Sequence, residues 1–229
     1  MSKHDFFERI HHHLIVSCQA LENEPLHGSE TMAKMAQAAK EGGAAAIRSN
    51  SPEDIFAIKH KTQLPVIGLL KKVYPDNEVF ITPTKKEVDE LLAVQPEVIA
   101  LDATIRERPN KESLQDIVHY IHNKSSTLVM GDISDLGDAE YATKCGVDML
   151  STTLSGYTSY SPQQVDPDFE LVKTLSQQAT IPVIAEGRIQ TPDQAQKMFE
   201  LGAWSIVVGG AITRPQLITK SFIDKINMK

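Results

Sequence analysis

Residues 183–210 read VIAEGRIQTPDQAQKMFELGAWSIVVGG. The stretch opens on an apolar run, Val183 to Glu186, and closes on another, Ser205 to Gly209. Between them, Thr191-Pro192-Asp193 sets a hydroxyl cap ahead of a proline at the first helical position. Gly202 stands where a helix stops on a left-handed residue. The reading is strand, loop, helix, strand. Both strands are nearly continuous apolar runs with no strict alternation, as in strands covered by helices on both faces, and therefore in a parallel sheet.

Working outward, the same unit recurs toward the N-terminus. Strands are expected at Leu14 to Gln19, Ala44 to Ser49, Val66 to Lys71, Val98 to Thr104, Thr127 to Ile133 and Val147 to Ser151, which makes eight with the two above. Apolar residues at helical spacing fill the intervals, as in Met32, Met35, Ala36 and Ala39, or Leu114, Ile117, Val118 and Ile121. Ser51-Pro52 and the pair Thr84 and Glu87 add start signals, and Gly42-Gly43 and Gly146 add stops. Spread over eight units, the 229 residues allow about 29 each, close to the shortest crossover that closes a parallel pair.

The expected fold class is α/β: a single (β/α)8 TIM barrel over residues 1–229, with 1–13 as an N-terminal leader or helix whose His11-His12-His13 run is solvated. An open doubly wound sheet is the alternative, but it calls for a GxGxxG turn after an early strand, and the chain has none. One segment breaks the rhythm. The turn Tyr74-Pro75-Asp76-Asn77 and the extended piece Glu78 to Thr82 predict an insertion in the third βα connection, where loops line the active face of a barrel.

Composition narrows the function classes. A net charge of −7 argues against a protein that must neutralise a nucleic-acid backbone, while leaving room for a small anion held by a few local donors. Cys18 and Cys145 stand far apart without CxxC spacing, which excludes a zinc ribbon and fits a reducing, cytoplasmic setting. No apolar run approaches the roughly 18 residues of a membrane span.

In a closed barrel, catalysis sits at the C-terminal ends of the strands. Those ends carry Gln19 beside Cys18, Arg48, Lys71 and Lys72, Asp102, Asp132, the run Ser151-Thr152-Thr153, Glu186, and Gly209-Gly210. Polar groups at one depth from nearly every strand point to a shared site. Gly187 with Arg188, and Gly209 with Gly210 ahead of Arg214, stand where backbone N–H groups after strands seven and eight bind phosphate in many barrels. A phosphorylated small molecule is therefore the expected ligand. Two other readings stay open: Glu186 as a structural partner of Arg188, and Lys71 as a phosphate ligand. Cys18 reads as a packing residue, His119 and His122 as surface residues of one helix face, and Trp204 as packing between helix and barrel. No residue set reads as a metal site.

Six blocks then carry a family resemblance. Gly68 to Lys72, Ile81 to Thr84, Leu101 to Thr104 with Arg108-Pro109, Ser151 to Thr158, Ala185 to Ile189 and Val208 to Pro215 together resemble the bacterial N-acetylmannosamine 6-phosphate 2-epimerases, in the same order and over nearly the whole chain. The resemblance implies a (β/α)8 barrel that interconverts N-acetylmannosamine 6-phosphate and N-acetylglucosamine 6-phosphate in sialic acid and amino-sugar catabolism, without metal or redox cofactor. It implies an acid/base pair at Lys71 and Glu186, with Gln19, Arg48, Asp132 and Arg214 placing substrate. The partners expected are a phosphorylated amino sugar and a second copy in a homodimer. A catalytically silent sugar-phosphate sensor, or another sugar-phosphate isomerase, is the alternative.

The chemistry is consistent on its own terms. Inverting a carbon that bears an amide requires breaking its C–H bond, which is feasible once C1 is a carbonyl and the pyranose has opened. Lys71 can take that proton only as a neutral amine, so its pKa must fall from about 10.4 toward roughly 7 to 8 through burial and the nearby Arg48 charge. Glu186 suits the shuttle between O1 and the ring oxygen, and Gln19 and Arg48 are donors for the enolate.

Overall fold

The computed structural model describes residues 1–227. Eight parallel strands close on themselves in sequence order: β1 Leu14–Cys18, β2 Ala46–Asn50, β3 Val66–Leu69, β4 Val98–Asp102, β5 Leu128–Asp132, β6 Met149–Ser151, β7 Val183–Glu186 and β8 Ser205–Val208. The last strand pairs with the first through Leu14 and Ile206, so no edge is left open. The helices are α1 Lys3–Ile10, α2 Ser29–Glu41, α3 Pro52–Thr62, α4 Lys85–Ala93, α5 Leu114–Lys124, α6 Leu136–Lys144, α7 Phe169–Gln178, α8 Pro192–Glu200, α9 Gly210–Thr213 and α10 Pro215–Asn227.

Two layers of core explain the unbroken apolar strands. Ile15, Ala46, Ile67, Val98, Met130, Met149, Ile184 and Val207 fill the barrel, while their neighbours Val16, Ile47, Ile99, Val129 and Leu150 pack outward with α2, α3, α4, α5 and α7. Every second residue along a strand points inward. Arg48, Asp132 and Glu186 therefore share the inward parity of Ala46, Met130 and Ile184, one rung nearer the C-terminal mouth.

The start signals work as read. Ser51 and Thr191 accept backbone N–H groups ahead of Pro52 and Pro192, and Thr84 with Glu87 forms a reciprocal capping box.

One expectation needs correction. The third strand stops at Leu69 instead of Lys71, because the chain turns into a hairpin: Lys71 forms an antiparallel bridge with Ile81, and the Lys72 N–H donates to Phe80 O at 2.9 Å. This is the insertion, and it carries Lys71 past the strand end into the mouth. Of the two forms expected for residues 1–13, leader or helix, the structure shows a helix over Lys3–Ile10. Helix α1 closes the bottom of the barrel, burying Phe6 and Ile10 at 1% and 0% exposure against the inner core. Trp204 packs between helix and barrel as expected, and the helix is α1: its Nε1–H donates to Phe7 O at 3.1 Å, and its ring lies 4.1 Å from that of His11. The histidines remain exposed, as expected.

Helix α10 follows β8 in the order, where the eighth outer helix belongs. None of its described residues is buried. Among the described residues, no helix is long and apolar enough to cross a membrane.

Candidate active site

A cavity of about 360 Å³ opens at the C-terminal mouth. Gln19, Arg48, Lys71, Glu186, Arg188 and Arg214 line it, together with the backbone of Gly187, Gly209 and Gly210. Every substrate-, phosphate- or proton-handling residue expected from the sequence meets there except Asp132, which is fully buried behind Arg48; of the other polar strand ends Thr153 lines the cavity, while Lys72, Asp102, Ser151 and Thr152 do not.

Arg48 is the hub. Its Nη2 donates to Asp132 Oδ2 at 2.5 Å, and its Nη1 donates to Asp132 Oδ1 at 3.0 Å and to Glu186 Oε2 at 2.8 Å. Burial opposes its charge, but the Asp132 and Glu186 carboxylates outweigh that and hold its pKa above the ordinary arginine value. A buried charge pair of this kind is strongly coupled, and neither member survives well alone. Asp132 thus anchors Arg48 through both of its carboxylate oxygens.

Glu186 sits at the end of β7, held by its own backbone. Its N–H donates to Thr152 Oγ1 at 3.0 Å, and the Thr152 hydroxyl donates to Glu186 O at 2.9 Å, which locks β7 to the short 3-10 turn Thr152–Leu154 that follows β6. Burial raises the Glu186 pKa above the usual carboxylate range, with Asp132 adding to the rise, while Arg48 and the hydroxyls of Thr153 and Ser151 work against it. Lys71 shows the complementary shift. Burial lowers its pKa, and the like charges of Arg48 and Arg214 lower it further, against the pull of Glu186 and Glu24. An amine pushed toward its neutral form and a carboxyl pushed toward its acid form therefore share one cavity, as proton-transfer pairs do.

Gln19 and Arg48 also leave polar atoms unpartnered. Gln19 Oε1 and Arg48 Nε are buried without a hydrogen bond, although Gln19 Nε2 donates to Ser17 Oγ at 2.9 Å. Such atoms are expensive unless something else satisfies them.

On the side of β7 and β8 the cavity is lined by backbone turns. Gly187 has φ +109°, a conformation that L side chains rarely adopt, and Gly209 caps α9 beside β1. Arg214 Nε donates to Glu24 Oε1 at 2.7 Å, and that pairing, more than burial opposes it, holds Glu24 below its usual pKa. The Arg188 guanidinium is bound to Asp166 O at 2.9 Å and to Ser155 O, so it pins the loop after β6 as well as facing the cavity. Glu186 does not pair with Arg188; its cation is Arg48.

Sequence reasoning missed Glu24 and the partners of Thr153. Thr153 was visible as part of a polar strand end, but its partners lie on other strands. Glu24 had no signal in its loop. Cys18 is buried, with its thiol pushed up to about 12 by burial and the nearby Asp54. That state suits packing and disfavours a nucleophile. His122 bonds Asp148 at 2.9 Å on the outside of the barrel. Among the described residues, no group of three or more His, Cys, Asp or Glu is arranged to hold a metal ion.

Fold and site together define a (β/α)8 barrel with a lysine, a glutamate and glycine turns sharing a cavity at its mouth. The family model described as "Putative N-acetylmannosamine-6-phosphate epimerase" matches residues 32–228. A relative from Clostridium perfringens strain 13, named "Putative N-acetylmannosamine-6-phosphate 2-epimerase", is 58% identical over 92% of this chain and 95% of its own. One of the same name from Clostridioides difficile strain 630 is 54% identical over 96% and 99%. The solved N-acetylmannosamine-6-phosphate 2-epimerase of Clostridium perfringens superposes with a TM-score of 0.96 at 55% identity, covering 98% of each chain. A geranylgeranylglyceryl phosphate synthase from Thermoplasma acidophilum, at 17% identity and a TM-score of 0.62 over 96% of this chain and 95% of its own, shares the fold alone. The chain belongs to the N-acetylmannosamine-6-phosphate epimerase family.

Proposed function

We propose that this protein inverts C2 of N-acetylmannosamine 6-phosphate to give N-acetylglucosamine 6-phosphate, and the reverse. The observation that carries the reading is the meeting of Lys71 and Glu186 in one cavity, each pushed toward its uncharged form. Ionised Glu186 takes the O1 proton and returns it to the ring oxygen, opening the sugar to its aldehyde. Neutral Lys71 takes the C2 proton, and the electron pair moves onto O1 as an enolate. Arg48 and the Gln19 amide stabilise that oxygen, the role of preorganised donors. The Lys71 ammonium returns a proton to the opposite face of C2 once the enolate has turned in the cavity, and ring closure completes the inversion with Lys71 neutral again. The backbone of Gly187, Gly209 and Gly210, with Arg188 and Arg214, holds the phosphate.

The same proposal covers setting and assembly. Two free, buried cysteines and the net charge of −7 support a cytoplasmic enzyme of small molecules that does not bind nucleic acid. A homodimer is supported by α10, whose Leu217, Phe222, Ile223 and Ile226 stand between 50% and 72% exposed.

Incubating the protein with either sugar phosphate in heavy water tests the reading. Deuterium at C2 and conversion between the two sugars are expected. Binding without exchange would leave a sensor, and exchange into a different product would leave another isomerase.

A further inference from the structure

Around Glu186 the number of hydroxyl hydrogens falls short of the number of acceptors. Thr153 Oγ1 lies 3.0 Å from Glu186 Oε2, 2.9 Å from Asp132 Oδ1 and 2.8 Å from Ser151 Oγ. It also receives a weaker contact from Arg48 Nη1 at 3.3 Å. A threonine hydroxyl carries one hydrogen and two acceptor lone pairs. With both carboxylates ionised, each competes for that single hydrogen. The Ser151 hydroxyl is 3.3 Å from Glu186 Oε2, beyond the usual O–H···O range, so it replaces Thr153 poorly. When Glu186 carries its proton on Oε2, it becomes the donor, and Thr153 can accept from it while donating to Asp132.

We propose that Thr153 is a positioning residue for the proton shuttle: its hydrogen turns to Asp132 when Glu186 takes up a proton and back to Glu186 when that proton leaves. This rests on the reading of Glu186 as the proton-carrying carboxylate. No net proton passes to Asp132, which stays ionised against Arg48 throughout. The charged groups facing Glu186 are Arg48 from β2, Asp132 from β5 and Lys71 from beyond β3. When Lys71 is neutral, as the chemistry requires, Arg48 alone balances two buried carboxylates, and hydroxyl donors carry the remainder. Thr153 thereby joins the state of Glu186 to the buried pair beneath it.

Carboxyl ¹³C NMR of Glu186 in the substrate-free enzyme tests this directly. In Thr153→Val, which keeps the shape and removes the hydroxyl, the Glu186 titration should move up by about one pH unit, the size expected for losing a hydrogen bond to a charged group. Thr153→Ser should restore it. The acid limb of kcat should follow the same shift, with KM nearly unchanged. Should the valine variant fail to fold, Thr153→Ala removes the same hydroxyl with less bulk and carries the same expectation. A Glu186 titration that does not move in the folded variant overturns the proposal, whatever happens to turnover. A titration that moves while the kcat limb stays in place supports the Thr153–Glu186 coupling and overturns Glu186 as the proton carrier.

Discussion

Lys71 and Arg48 sit in the same mouth with opposite structural obligations. Among the described residues Lys71 makes no ion pair, and burial with the Arg48 and Arg214 charges depresses its pKa against the weaker pull of Glu186 and Glu24, so the fold bears a net cost for its charge. Lys71→Met should abolish C2 exchange while the melting temperature holds or rises, and Glu186→Gln should abolish conversion with little loss of stability. A large fall in melting temperature in either would mark the pair as structural. Because Lys71 must be neutral, wild-type kcat/KM should climb with pH through an ionisation well below the usual lysine value of about 10.5. Arg48 is different. It neutralises two buried carboxylates at once, so Arg48→Met should cost about 3–5 kcal/mol, seen as a melting temperature lower by on the order of 10 °C. An unchanged melting temperature there would show that Asp132 and Glu186 do not depend on it.

At the scale of elements, the hairpin after β3 and the helix α1 do the work that eight regular βα units do not. The hairpin turns the chain back at Ile81 and brings Lys71 to the cavity. Helix α1 seals the far end, where an open barrel floor would expose Ile15, Val98 and Leu128 to water. Phe6 is its most enclosed aromatic ring, so Phe6→Ala should destabilise the protein by about 3–5 kcal/mol, the range for emptying a buried phenylalanine site. Denaturant unfolding measures this, and a loss under about 1 kcal/mol would mean that the plug is dispensable. The active site lies at the other end of the strands, so KM in the folded variant should stay as in the wild type.

For the whole molecule the open question is what α10 packs against. A terminal helix with Phe222, Ile223 and Ile226 in water is costly on its own, since covering one such side chain is worth about 1.5–3 kcal/mol. Sedimentation should find a dimer. Phe222→Asp with Ile226→Asp should shift it to monomer while far-ultraviolet dichroism of the barrel is retained. A wild-type monomer, or a dimer untouched by both substitutions, would contradict this face as the interface.

The sequence by itself determined the number and order of the strands, the caps at Ser51, Thr84 and Thr191, and the strand ends on which Arg48 and Glu186 stand. Those features are local: two-residue and 3.6-residue periods, a hydroxyl before a proline, a polar residue closing an apolar run. Which polar group meets which was decided by barrel closure. Asp132 reads in the sequence like any strand-end carboxylate, yet closure sets it behind Arg48 and out of the cavity. Thr153 and Glu24 gain their roles from partners on other strands and loops, and residues 1–13 read equally as leader or helix until the barrel offers α1 a floor. Contacts between residues distant in the chain exist only once the strands have closed, so no window of sequence contains them.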